Sequence, residues 1–285
     1  MLARRVASIL PDLSFEEALE VTKIYSISGI LPKEKPIITN RQFRAPHHTI
    51  SIASLIGGGK IPKPGEVSLA HYGILFLDEI AEFNKASLEA LRGPLEDGQV
   101  TISRLNSSLS YPCKFMFIAS MNPCPCGFYG DKDKQCTCSQ AAIDRYMGKI
   151  SGPLLDRIDI QIEVTPVKYK DINVSKKIET SSQIKNRVNN ARKIQIERYK
   201  KYNIFANSEM TPMLIKQYCK LNKDSQKLLE GAFERLKLSA RAYNRILKVA
   251  RTIADLQGKE NIEYEHVAEA IQYRSLDRKY WKNWK

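Results

Sequence analysis

No run in the 285 residues approaches the ~20 consecutive apolar side chains that a bilayer-spanning helix requires, so no membrane is expected among its partners. No secretion leader is expected either. Arg4 and Arg5 precede only a very short apolar stretch, ended by Pro11 and Asp12, which fits a short amphipathic helix better than a signal peptide. The chain therefore reads as cytoplasmic, where thiols stay reduced. There is no internal repeat and no low-complexity tract, and the hydrophobic fraction of 43% is ordinary for a globular protein. The length allows one large domain or two smaller ones. Acidic side chains are in deficit, 31 against 45 Lys+Arg, for a net charge of +14. The deficit is uneven: residues 1–160 carry 18 basic and 17 acidic groups, a net of +1, while residues 161–285 carry 27 and 14, a net of +13. A basic lobe points to nucleic acid or another polyanion, although solvated lysine-rich helix faces give the same balance.

Six cysteines are present, and Cys124, Cys126, Cys136 and Cys138 fall within fifteen residues, while Cys113 and Cys219 stand alone. In a chain without a leader, clustered thiols argue for metal rather than for disulfides. Four thiolates suit tetrahedral Zn²⁺ and leave no coordination position open for water, so the metal's role is structural. The alternative is four reduced free thiols on an exposed loop.

Along the chain, Leu2, Val6, Ile9 and Leu10 recur at helical spacing up to Pro11. Ser14-Phe-Glu-Glu17 is a capping box that opens a helix to about Ser28, stopped by Gly29. Residues 30–73 are rich in Gly and Pro and read as irregular, and a loop of that length is usually functional or disordered. Ile74-Leu-Phe-Leu77 reads as a buried strand, 87–95 as a helix, 99–111 as a hairpin, 114–119 as a second buried strand and 158–164 as a third. From about residue 180 the pattern is helical throughout. The change near Thr165-Pro166 marks the expected boundary, with an α/β core over 1–166 and an all-α lid over 167–285.

Two constellations carry chemistry. Asp78-Glu79 follows the first apolar strand directly, as in nucleotide hydrolases, where a parallel strand delivers two acids at its C-terminal edge. Asp78 would hold Mg²⁺ and Glu79 would polarise the attacking water. The bland reading is a strand ending in a solvated acidic turn. After the second strand comes Asn122, whose amide can hold the lytic water or a phosphate oxygen, or can simply form a turn before Pro123.

GEVSLAHYGILFLDEIAEF, ALRGPLEDGQVTISR, ASMNPCPCG, ISGPLLDRIDI and LSARAYNRILKVARTIADL, in that order and covering nearly the whole chain, resemble the ComM/YifB group of magnesium-chelatase-like AAA+ proteins. The resemblance implies an α/β AAA+ domain with a helical lid, ATP and Mg²⁺ as ligands, hydrolysis between subunits, and a hexameric ring of identical chains. It implies ATP-driven DNA remodelling, a branch-migration motor. Asp78 and Glu79 then look like the Walker B pair, Asn122 like sensor 1, Arg157 like an arginine finger and Arg241 like sensor 2. For Arg157 the bland alternative is an ion pair with Asp156 or Asp159. Arg241 lies in the first turn of a helix capped by Ser239, where the macrodipole disfavours a cation unless a polyphosphate lies near, with Arg245, one turn on, as fallback. The segment from Arg41 to Lys63 and the hairpin around Arg104 resemble pore-facing insertions, which makes Lys60, Lys63 and Arg104 candidate DNA contacts. His47 and His48 read as structural rather than metal-binding.

One feature of that group is not found in these residues: the glycine-rich loop ending in Gly-Lys-Thr or Gly-Lys-Ser, which cradles phosphates. Gly57-Gly-Gly59-Lys60 has neither the spacing nor the following hydroxyl. The strand preceding that loop is not present either, so the expectation is an incomplete AAA+ core that does not hydrolyse ATP alone. Two other readings remain at this point: a magnesium-chelatase subunit acting on a tetrapyrrole, and a non-catalytic fragment.

Overall fold

The computed structural model describes residues 2–59, 62–104, 107–131, 133–164, 179–202 and 204–274. The chain divides into two compact units, Met1–Arg157 and Ile158–Lys285. The boundary expected near Thr165-Pro166 lies outside the described residues.

The first unit opens with the helix Leu2–Val6, which tightens into a 3₁₀ turn through Ile9. Next comes the helix Phe15–Ser28. Ser14 Oγ accepts the Glu17 N–H at 3.2 Å, and the Glu17 carboxylate accepts the Ser14 N–H at 3.0 Å. Together they satisfy donors that a helix start leaves open. Gly29 ends the helix at φ +73, a left-handed conformation that glycine adopts without steric cost. The buried face of the helix, Val21, Ile24 and Tyr25, packs on Ile38 and Leu69.

Residues 30–73 are less irregular than their composition suggests. They hold a two-residue strand β1 (Phe43–Arg44), a helix Ile52–Ile56, a small hairpin of β2 (Gly57–Gly58) with β3 (Lys63–Pro64), and a helix Glu66–Leu69. Strand β4 (Ile74–Leu77) follows, and where one helix was expected over 87–95 there are two, Lys85–Ala90 and Arg92–Asp97. Pro94 explains the break, since it has no N–H to return to the carbonyl one turn back. The expected hairpin is formed by β5 (Gln99–Arg104) and β6 (Ser107–Pro112), and β7 (Met116–Ala119) completes the set.

Strands β1, β4 and β7 form one parallel sheet in the order β1-β4-β7, with Ile74 beside both Phe43 and Met116. Ile74, Leu75 and Leu77 of the central strand are fully buried. Strand β7, expected to be buried, is only partly so: Met116 is 43% exposed. The reason is its position, with β4 on one side and no strand on the other among the described residues. The two hairpins pack together. A Cβ on Gly57 would meet Ile102 Cδ1 of β5 at 2.7 Å, and the Tyr111 hydroxyl of β6 donates to the Pro62 carbonyl at 3.0 Å.

The second unit corrects one expectation. Residues 158–164 are not a strand; they run irregularly, with Ile160, Ile162 and Val164 at 51%, 66% and 69% exposure. Alternating apolar residues supply strand propensity but not a ladder partner, and this unit offers helices. The segment is held instead by the Gln161 N–H donating to the Tyr273 carbonyl at 2.9 Å and by the Arg274 guanidinium on the Ile158 carbonyl.

The rest of the unit is helical as expected: Ser181–Tyr199, Pro212–Tyr218, Lys223–Leu236, Ala240–Leu256 and Tyr264–Gln272. Ile246, Leu247, Ala250, Ile253 and Ala254 recur along one face of the fourth of these and pack with Tyr199, Leu214, Leu229 and Val267. Set into this apolar core is a polar knot. The Asp255 carboxylate accepts from Arg198, Arg251, Asn207 and Gln195, while the Arg251 guanidinium also caps the Glu260 and Lys259 carbonyls. A buried charge survives only when paired in this way.

Candidate functional site

The parallel register aligns the C-terminal ends of β4 and β7, and the acid pair and Asn122 lie just beyond them. Asp78 and Glu79 are exposed at that edge. Glu79 adopts φ +51, unusual for a residue with a side chain, and forms the N-cap of the turn Ile80–Glu82. Ser120 holds this conformation from the neighbouring strand. Its hydroxyl donates to the Asp78 carboxylate and accepts the Glu79 N–H at 3.1 Å, and its carbonyl accepts the Ile80 N–H at 2.9 Å. Sequence reasoning missed Ser120, because a serine between Ala119 and Met121 carries no signal until the two strands are paired. The exposed carboxylate oxygens form a hard-ligand set suited to Mg²⁺.

Asn122 is exposed, on the stretch that leaves β7. Tyr146, from the helix Gln140–Met147, is buried beside it. Burial raises the Tyr146 phenol pKa, and the charge of Glu82 adds to the rise. The Asn122 backbone N–H works the other way, and the charges of Glu79 and Cys124 contribute smaller increases.

Arg157 follows the short helix Gly152–Leu155. Its side chain is 8% exposed, donates to the Pro153 carbonyl at 2.6 Å, and is ion-paired with Glu96 at the end of the helix Arg92–Asp97. Asp159, one of the acids offered as a partner, is instead bound to Arg245 at 2.6 Å. Arg241 belongs to the second unit, exposed in the first turn of the helix Ala240–Leu256. Ser239 caps that helix by accepting the Ala242 N–H at 3.1 Å.

The four clustered thiols converge. Cys124 is fully buried and Cys126, Cys136 and Cys138 are half-buried, with all four Sγ atoms within 4.8 Å of one another. Backbone N–H groups of Phe128 and Thr137 point at the Cys126 sulfur and push its pKa down to about 5, favouring the thiolate that a metal requires. The other clustered thiols do not share that direction: the Cys138 N–H lowers Cys136, but burial and the neighbouring sulfurs outweigh it and push Cys136 up to about 12, and Cys138 is raised likewise; burial also raises the isolated Cys113 to about 12 and Cys219 to about 11. His47 and His48 stack on each other at 4.0 Å between centroids, and His47 Nδ1 bonds with Thr49 Oγ1 at 2.9 Å.

Of the candidate DNA contacts, Lys63 is exposed in β3 and Arg104 ends β5, opposite Ser107, so the packed hairpins bring both onto neighbouring ribbons. Lys60 lies outside the described residues. Two arginines of the same stretch serve the fold instead. Arg41 donates to the Pro11 and Tyr72 carbonyls and to Glu17, and Arg44 makes a two-pronged pair with Glu66 at 2.7 and 2.6 Å.

Residues 1–172 match the family profile described as magnesium chelatase, subunit ChlI, and residues 178–274 match that of the ChlI C-terminal region. The uncharacterized protein YifB of Escherichia coli (strain K12) is 44% identical over 281 residues, which are 98% of this chain and 54% of that protein. The competence protein ComM of Haemophilus influenzae is likewise 44% identical over 281 residues, 98% of this chain and 53% of that protein. A magnesium-chelatase 67 kDa subunit of Chlorobaculum tepidum is 25% identical over 168 residues, 58% of this chain and 20% of that protein. The chain spans about half the length of the first two relatives. With the AAA+ core, the acid pair at its sheet edge and the helical domain that follows, the chain belongs to the magnesium-chelatase-like AAA+ family, in its ComM/YifB group.

Proposed function

We propose that these residues form the hydrolysing part of a cytoplasmic ATP-driven motor that remodels DNA, working as a ring of six identical chains. The observation that carries the reading is the acid pair at the edge of the parallel sheet, locked by Ser120 into one conformation. Asp78 is the residue to hold Mg²⁺, which supplies charge neutralisation to the phosphates when bound. Glu79, presented by its left-handed backbone, orients and polarises the attacking water, and Asn122 offers an amide to the same water or to a phosphate oxygen. Arg157 is the residue to cross to a neighbouring subunit, for which it has to leave Glu96, and Arg241 is the lid's phosphate contact. The net charge of +13 over residues 161–285, with Lys63 and Arg104 on the paired hairpins, supports DNA as the polymer moved, and Lys60 is a further candidate contact by sequence. The four cysteines hold a structural zinc. A chelatase role has less support, since the relative named for that activity matches 58% of the chain at 25% identity.

Phosphate release from the full protein in which these residues occur tests the reading. Glu79→Gln keeps the side chain's shape and removes the charge that polarises water, so hydrolysis is expected to fall by about 10²-fold or more with ATP binding retained. Turnover unchanged in that variant rejects the assignment.

A further inference from the structure

We infer that a divalent metal bound by Cys124, Cys126, Cys136 and Cys138 braces the stretch carrying Asn122, so that metal occupancy sets where that amide stands at the sheet edge. The inference rests on reading the cluster as a metal centre and Asn122 as part of the hydrolysis site.

The path of the chain makes the link. The backbone leaves β7 at Ala119, passes Asn122, and enters the cysteine excursion at Cys124, two residues later. It leaves the excursion at Cys138, and Ser139 then caps the helix Gln140–Met147 by accepting the Ala142 N–H at 3.3 Å. That helix carries Tyr146, 6% exposed, back to the Asn122 backbone. The loop therefore closes on itself, with the sulfur cluster at its neck and the tyrosine at its return.

The described part of the loop has little apolar core of its own. Among the described residues from 121 to 139, only Cys124 is buried. Internal contacts among the described residues include turn bonds, Asp131 accepting the Asp133 and Lys134 N–H groups, and Lys134 lying over the Phe128 ring. An excursion without an apolar core has to take its order from elsewhere, and in such segments metal-binding free energy becomes folding free energy. The sulfur geometry is already near what a metal needs. Cys124 lies 3.3 Å from Cys126 and 3.7 Å from Cys136, and Cys126 lies 3.5 Å from Cys136. Four sulfurs each ~2.3 Å from a tetrahedral zinc sit about 3.8 Å apart. Metal at the neck fixes both Cys124 and Cys138. Fixing Cys124 restrains Asn122 along the chain, and fixing Cys138 restrains it through the helix and Tyr146.

The test is zinc add-back to the reduced, chelator-treated chain, with two readouts. Competition against a colorimetric chelator measures zinc bound, and hydrogen–deuterium exchange by mass spectrometry measures amide opening over residues 116–124 and 140–147. About one zinc per chain is expected, with exchange in both segments slowed roughly tenfold or more while the helices of Ile158–Lys285 stay unchanged. Tyr146→Phe is expected to bind zinc as the unaltered chain does, yet to lose much of the slowing over 116–124. Zinc that binds stoichiometrically without slowing either segment overturns the brace and leaves the metal centre standing. Absence of zinc binding overturns both. Because the measurement is made on the unaltered chain, it does not depend on any cysteine variant folding.

Discussion

Replacing Asp255 with alanine strips two guanidinium groups, one buried on Arg251 and one half-buried on Arg198, of the carboxylate they share. The Asp255 side chain is 0% exposed, and its oxygens accept from Arg198 at 2.8 and 2.5 Å, Arg251 at 3.0 Å, Asn207 at 2.8 Å and Gln195 at 3.3 Å. After the change Arg251 keeps its carbonyl partners on Glu260 and Lys259 at 2.7 and 2.6 Å, and Arg198 keeps Asn207 Oδ1 at 3.2 Å. What disappears is the anion shared by the buried Arg251 and the half-buried Arg198. Removing one partner of such a buried set costs about 3–5 kcal/mol, a large share of the ~5–15 kcal/mol that holds a typical domain folded. For a helical unit of this size the loss corresponds to a fall of roughly 10–20 °C in the unfolding midpoint. Thermal and urea unfolding of the chain, followed by far-UV circular dichroism, measures it. Asp255→Asn keeps the shape and one acceptor oxygen and is expected to fall between. Asp255→Leu combined with Arg198→Met is expected to recover part of the loss, because it removes a cation along with the anion. A cost below about 1 kcal/mol for Asp255→Ala would place the network in the class of solvent-relaxed surface pairs and refute the reasoning.

Three further outcomes are expected. His71 is buried, accepts the Lys114 N–H on Nδ1 at 3.0 Å and pairs with Glu20 through Nε2 at 3.1 Å, and burial pushes its pKa below the usual 6.5. The folded state then binds the proton more weakly than the unfolded chain, so stability is full above about pH 6.5 and declines as pH falls below it; His71→Gln should remove that part of the slope in unfolding between about pH 7 and pH 5. Binding of the chain to duplex DNA should weaken on the order of 10³-fold between about 50 and 200 mM salt, and no binding at the lower concentration would reduce the +13 half to ordinary solvated surface. Arg157→Ala and Glu79→Gln forms of the full protein, each inactive alone, should regain phosphate release when mixed, because their defects fall at different interfaces; no recovery would make Arg157 an internal brace for Glu96.

What was legible in the sequence was what depends on neighbours along the chain. The Ser14–Glu17 capping box, the Ser239 cap, the apolar run Ile74–Leu77 with its two acids, and the hairpin from Gln99 to Pro112 all declare themselves within a few residues. What escaped depends on partners far away in sequence. Ser120 reaches Asp78 across 42 positions, Arg157 reaches Glu96 across 61, and Arg198 reaches Asp255 across 57. Strand β1 is two residues long and exists because β4 offers it an edge, so no periodicity could reveal it. The opposite error at 158–164 has the same root: Ile160, Ile162 and Val164 alternate as a strand does, but alternation without an adjacent edge leaves the backbone irregular.

The packing of Gly57 against Ile102, and of Tyr111 on the Pro62 carbonyl, makes the two hairpins a single lever. Its fulcrum is the short helix Arg92–Asp97, which passes into β5 at Gln99 through the left-handed Gly98 and carries Glu96 on its last turn. A load applied to either ribbon is therefore borne by both and delivered to the residue that grips Arg157. In mechanical terms, the two ribbons and Arg157, the residue proposed to reach a neighbouring subunit, meet at one short helix.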